Sequence, residues 1–171
     1  YGFVFFKQKP KVYFILVGSL VFYGAWNYSF IPLLVGSAMA DYYIALAIYN
    51  GSTQRRKKQW LMLSVIINIG LLGVFKYADF AINSVAQLLS SLDYNASIDT
   101  LGWVLPVGIS FYTLQSLSYT IDVYREEIKP RKGLVEFIAA LSFFPQLLAG
   151  PILRARQILP QMHEIALPKW D

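Results

Sequence analysis

Long apolar runs joined by short basic loops constrain this chain more than any single motif in it. A hydrocarbon core of about 30 Å takes about 20 helical residues to cross. Only structures that satisfy their backbone groups internally survive there. Runs of that kind cover about 12–28 (VYFILVGSLVFYGAWNY), about 31–49, about 60–77 and about 103–124. Pro32 falls in the first turn of the second run, where a helix tolerates it. Residues 78–92 alternate apolar and polar positions at helical spacing and dissolve into a polar loop with Asp93, Asn95 and Asp99, the pattern of a helix lying in the membrane interface. The last apolar run, about 134–153, holds Pro145 in its middle, then Gly150 and Pro151, with Arg154 and Arg156 directly after it. A simple crossing would carry both arginines outward, so a broken or re-entrant element with its freed backbone buried in protein is expected. The expected fold is all-α: a polytopic transmembrane helical bundle with one broken or re-entrant helix, forming part of one membrane domain over residues 1–171.

Composition agrees. The 171 residues are 56% hydrophobic and only 15% charged, with a mean hydropathy of +0.46, which sets aside disorder, collagen and an ordinary water-soluble domain. The absence of cysteine removes disulfides, thiolate nucleophiles and Cys-ligated metal, and the one histidine, His163, cannot form a metal site alone. A net charge of +5 suggests nucleic acid at first sight. The basic residues, however, sit in three short clusters between apolar runs: Lys7/Lys9/Lys11, Arg55/Arg56/Lys57/Lys58 and Arg125/Lys129/Arg131/Lys132. Each is separated from the next by an even number of spans, so all three can face the cytoplasm. The connection from Asp79 to Trp103 has no Lys or Arg, and Trp26, Tyr28, Tyr77 and Trp103 fall where an interfacial aromatic belt belongs. A multi-pass protein of a bacterial cytoplasmic membrane, partnered by lipid and not by nucleic acid, is expected. Tyr1 to Phe6 reads as the tail of an element whose start lies upstream, and the chain as a fragment.

Polar residues inside the spans are the candidates for chemistry. Gly108, Tyr112, Gln115, Tyr119 and Asp122 recur at i, i+4, i+7, i+11 and i+14, one face of a helix, with Ser118 beside it. Such a stripe faces the bundle interior or a wet cavity. It serves either as interhelical hydrogen-bonding glue or as the lining of a substrate tunnel. Asp41 lies well inside the second span, a candidate intramembrane site whose bland reading is a pair with a nearby cation or a wet position near the headgroups. Lys76 and Asp79 fit a local ion pair. The basic loops suit topogenic charge, and contact with anionic lipid or a cofactor's phosphates is the functional reading. His163 sits in a polar, Pro-bounded stretch without the burial or partner a catalytic base requires.

Three blocks, FKYADF (Phe75 to Phe80), LPVGISFYTLQSLSYTIDVYR (Leu105 to Arg125) and SFFPQLLAGPILR (Ser142 to Arg154), resemble in order and spacing the membrane-bound O-acyltransferase family, in the branch of the alginate O-acetyltransferase membrane protein. The resemblance implies a tunnel-forming bundle that passes an acyl group from a cytoplasmic donor, acetyl-CoA or another, to hydroxyls of an extracytoplasmic polysaccharide, with accessory acetylation proteins and without a tightly bound cofactor. It also implies a catalytic histidine in a span beyond Asp171, a motif His163 does not match, so no catalytic residue and no metal ligand is expected in this chain. Positions matching the family blocks, expected to support the tunnel or the re-entrant wall, are Tyr112, Gln115, Ser118, Tyr119, Asp122, Tyr124, Arg125, Pro145, Gln146, Gly150, Pro151 and Arg154. A transporter or channel is the rival reading, because polar stripes and broken helices also build permeation sites. A non-catalytic membrane scaffold is the other.

Overall fold

The structure, a computed structural model, describes residues 8–91, 105–130, 133–149 and 157. Six α-helices carry the chain: α1 (Gln8–Asn27), α2 (Ile31–Tyr49), α3 (Gln54–Ser91), α4 (Ile109–Tyr124), α5 (Leu134–Leu141) and α6 (Phe144–Ala149). No strand occurs among the described residues. The stretches Lys11–Tyr49 and Gln54–Ser91 are long and apolar enough to cross a membrane, and the fold is an all-α membrane bundle.

Local chemistry sets the breaks. α1 is already helical at Gln8, ahead of the expected Val12. It ends where Asn27 turns extended (φ −162°) and its side chain accepts from the Ser29 backbone N–H at 3.0 Å. One 3-10 turn, Tyr28–Phe30, then leads into α2, whose start holds Pro32. α4 starts at Ile109, later than the expected 103, because Pro106 precedes it and Gly108 stands in the left-handed region at φ 72°. A Cβ at Gly108 would also meet Leu147 Cδ2 at 3.1 Å, so α4 and α6 approach closely at a point only glycine serves.

The largest departure from the sequence expectation is α3. The span 60–77 and the interfacial helix 78–92 are separate elements in the pattern, yet the structure runs from Gln54 to Ser91 as one helix of 38 residues, about 57 Å long. Nothing after Gly73 breaks it: residues 74–91 lack proline and glycine. That length exceeds the hydrocarbon thickness. Only Ser64 and Asn68 are buried on it. Ile66, Ile69, Tyr77 and Phe80 are exposed, with Ile66 at 64%.

Direction follows from the contacts. A short loop joins α2 to α3, and the first turns of α3 meet the end of α4 through Lys57 and Gln54, which reach Glu126 and the Tyr124 hydroxyl. α2 and α4 therefore run one way and α3 the other. The basic residues of the first turns of α3 (55–58) and those of the loop after α4 (125–129) consequently share one end. At the opposite end the Tyr23 hydroxyl donates to the Val107 carbonyl at 3.2 Å, and the rings of Phe22 and Phe144 stack at 4.4 Å. The 134–153 run breaks at Ser142–Phe143, between α5 and α6, with Pro145 in the first turn of α6. The core lies between α2, α4 and α5, where Tyr119 packs on Phe137 at 4.5 Å between ring centroids and Tyr42 on Phe137 at 5.9 Å.

Candidate functional site

Asp41 is fully buried, and three helices converge on it. Ser64 Oγ of α3 donates to Asp41 Oδ1 at 2.5 Å. Asn68 Nδ2, one turn further along α3, donates to Asp41 Oδ2 at 2.7 Å, and Ser116 Oγ of α4 donates to the same oxygen at 2.6 Å. Thr120 Oγ1 stands 3.0 Å from Ser64 Oγ. The Ser64 proton is engaged by the carboxylate, so Thr120 is the donor in that contact, shared with its own helix at the Leu117 carbonyl. The second Asn68 amide proton goes to the Ser64 carbonyl at 2.9 Å. Every neighbour presents a donor and none an acceptor, which suits an acceptor-only carboxylate.

The expected bland role of Asp41 needs correcting. Neither recorded ion pair involves it, so no cation among the described residues neutralises it, and full burial leaves it no water. Hydroxyls and one amide do the work that a lysine or a headgroup was expected to do. The partners were missed in the sequence, although a signal existed. Ser64 and Asn68 are an i, i+4 polar pair inside an otherwise apolar span, and Ser116 and Thr120 are another on the face of α4 next to the recognised stripe.

α4 thus has two buried faces. Ser116 and Thr120 look toward α2 and α3. The adjoining stripe of Tyr112, Gln115 and Tyr119, about a quarter-turn around the helix, meets α5 and α6: Gln146 Nε2 reaches Gln115 Oε1 at 3.4 Å, and Tyr119 lies on Phe137. Tyr112, Gln115, Tyr119 and Asp122 are all buried. The hydroxyls of Tyr112 and Ser142 have no partner among the described residues, so this side of α4 holds polar capacity that the bundle does not consume.

Other expected site residues fall elsewhere. Ser118 is half-buried and its hydroxyl donates to the Gln115 carbonyl of its own helix at 2.8 Å. Arg125 caps the end of α4 with its side chain 63% exposed and 3.8 Å from Glu127; it belongs to the basic loop and not to the interior wall. Tyr124 accepts from Gln54 at the same rim. Pro145 is exposed in the first turn of α6. Lys76 lies 5.6 Å from the centroid of the Tyr77 ring, a cation–π contact. Gly150, Pro151, Arg154 and His163 lie outside the described residues. No group of three or more His, Cys, Asp or Glu that could hold a metal ion occurs among the described residues.

No protein-family model matches the chain, and no solved structure matches it. Curated relatives do. The chain is 38% identical, over 91% of its length, to a Pseudomonas aeruginosa protein named "Probable alginate O-acetylase AlgI", and 36% identical to the protein of that name from Pseudomonas syringae, again over 91%. It is 34% identical over 91% to a "Peptidoglycan O-acetyltransferase" of Helicobacter pylori. It spans 30% of the length of each Pseudomonas protein and 33% of the Helicobacter one. With six helices among the described residues and these relatives matching nearly the whole sequence, the chain belongs to the membrane-bound O-acyltransferase family.

Proposed function

We propose that the whole protein is a membrane O-acetyltransferase that moves an acetyl group from a cytoplasmic donor, acetyl-CoA or another acyl carrier, to hydroxyls of an extracytoplasmic polysaccharide such as alginate. The observation that carries this reading is the near-equal identity to relatives named for two different acceptors, alginate and peptidoglycan. What those two reactions share is the donor side and a sugar hydroxyl. In this reading the protein sits in the bacterial cytoplasmic membrane with its basic loops at the cytoplasmic face, and accessory acetylation proteins act on the far side.

The described residues supply a frame and a polar wall. The Asp41 network ties α2, α3 and α4 together, and the adjoining face of α4 lines the path of the acyl group with Tyr112, Gln115 and Tyr119. Removal of the acceptor's hydroxyl proton needs a general base. We assign that role to a histidine of the whole protein beyond Asp171, as the family resemblance implies.

The test is made in a strain lacking the whole protein, complemented with the wild type or with Gln115→Leu and Asp122→Asn, by assaying ester-linked acetate on the exported polysaccharide. Wild type restores acetylation, while the variants reduce it at unchanged membrane abundance. Failure of the wild type to acetylate any exported polysaccharide would overturn the function. Full activity in both variants would overturn the path.

A further inference from the structure

At the end of the bundle that carries the basic loops, a cavity of about 320 Å³ opens between the C-terminus of α2, the first turns of α3 and the loop after α4. Its walls are of two kinds. Lys57 and Lys129 bring ammonium groups, with Glu126 beside them; Tyr49, Val123 and Ile128 bring apolar surface. Glu126 Oε1 accepts from Lys57 Nζ at 2.8 Å, but its side chain is 74% exposed, so the pair is a weak one. Lys129 has no ion-pair partner among the described residues.

The backbone here is unusual. Glu126 is the one non-glycine residue at positive φ among the described residues, at 61°. It sits at the position where a helix ordinarily ends on glycine. The backbone N–H of Glu126 donates to the Val123 carbonyl at 3.1 Å, and that of Glu127 to the Asp122 carbonyl at 3.0 Å, the two bonds of a Schellman cap. A side chain is therefore retained in a conformation that disfavours one, and it reaches across to Lys57 at the cavity mouth. A strained residue with a directed contact points to function.

We propose that this cavity binds the phosphodiester headgroup of an anionic phospholipid, with Lys57 and Lys129 on the phosphate and the glycerol and first acyl carbons against Tyr49, Val123 and Ile128. A free phosphate would use the lysines and leave the apolar wall bare; a lipid uses both. The site stands at the end of the bundle where apolar helices meet basic residues, the level at which headgroups are expected and a cation contributes about a fivefold gain in affinity for an anionic surface. Glu126 tempers the site by holding Lys57. None of this depends on the acyl-transfer reading.

The test uses the full-length protein in nanodiscs of phosphatidylcholine doped with phosphatidylglycerol, with bound lipid read by native mass spectrometry after release. Wild type retains phosphatidylglycerol in preference to phosphatidylcholine. Lys57→Gln with Lys129→Gln lowers that retention about 25-fold, fivefold for each charge. Lys57→Arg with Lys129→Arg keeps it and controls for folding. Glu126→Gln raises it, because Lys57 is freed, a gain that a purely structural role for the ion pair does not produce. Lys58→Gln, on the exposed side of α3, changes it less than twofold, since that residue does not line the cavity. Equal retention of both lipids, unchanged retention in the double glutamine variant, or displacement of the lipid by millimolar inorganic phosphate would each overturn the proposal.

Discussion

Replacing Asp41 separates two accounts of a buried intramembrane carboxylate. If Asp41 matters as a charge, Asp41→Asn and Asp41→Ala should damage the protein equally. If it matters as an acceptor shared by three helices, the two should differ. Asp41→Ala removes three hydrogen bonds of 2.5, 2.6 and 2.7 Å. Interhelical hydrogen bonds in membranes average about 0.6 kcal/mol and reach about 1.7, because the unfolded chain in lipid also finds partners. Three of them, plus the small cavity left behind, amount to about 2–4 kcal/mol. The serine hydroxyls can turn back to carbonyls of their own helices, which holds the figure below the cost of three orphaned donors. Asp41→Asn keeps volume and one acceptor. Its new amide needs an acceptor, and Asn68 Oδ1, which receives no donor now, supplies one if that side chain flips. The flip gives up the Asn68 bond to the Ser64 carbonyl, so the net loss is about 1 kcal/mol. The assay is unfolding of the purified full-length protein in mixed micelles titrated with dodecyl sulfate, followed by tryptophan fluorescence. A double-mutant cycle between Asp41→Ala and Ser116→Ala should give a coupling of about 0.5–1.5 kcal/mol. Equal destabilisation by Asn and Ala, or a coupling near zero, would refute the shared-acceptor reasoning.

Three further outcomes follow from the backbone and the rim. Gly108→Ala places a Cβ at φ 72° and 3.1 Å from Leu147 Cδ2, and should cost about 1–2 kcal/mol while selectively raising amide exchange in 144–149; uniform exchange would show that α6 does not depend on this approach. Glu126→Gly puts the residue a Schellman cap prefers at φ 61°, and should raise the thermal midpoint by about 2 °C or more despite losing the Lys57 contact; a lower midpoint would mean that the ion pair outweighs the backbone strain. The Lys57 hydrogen bond and charge hold the Glu126 carboxyl below its ordinary value of 4.5. Because the folded-state value is depressed, the contribution is present above the unfolded value and is lost as pH falls through the folded one. The stability gap between wild type and Glu126→Gln should therefore be small but measurable at pH 7 and should close on acidification below about 4; a gap that persists there would refute the assignment.

Sequence periodicity made the helices legible and the interior only half so. The apolar runs placed α2 to the residue, and the polar spacing along 108–122 identified a face of α4 that is buried in the bundle. The join in α3 was not legible, because hydropathy reports the solvent around a helix and not whether the backbone continues, and residues 74–91 contain nothing that stops one. The Asp41 partners were hidden for another reason. Serine and threonine in an apolar helix are common and can satisfy themselves on their own backbone, as Ser37 does on Leu34, so only the crossing of three helices distinguishes Ser64 and Ser116 from Ser37.

That distinction bears on how the bundle divides its labour. On the α2–α3 side of α4, the Asp41 carboxylate takes a hydrogen bond from each of three side chains, so the packing there has one register and little reason to move. On the α5–α6 side, the Tyr112 and Ser142 hydroxyls stay without partners among the described residues, and Gln115 meets Gln146 at a long 3.4 Å. Buried polar groups left in that state each carry a penalty of about 1–3 kcal/mol that water or a ligand would relieve. On the proposed function, a wall that holds such capacity next to a broken helix, beside a face fixed through Asp41, is an arrangement that suits a passage for an acyl group. Tyr112→Phe gives this a sharp test. Removing an unpartnered hydroxyl should leave stability unchanged or slightly raised, and should lower acetyl transfer by the whole protein; a loss of stability would show that the hydroxyl already has a partner and that the wall is closed.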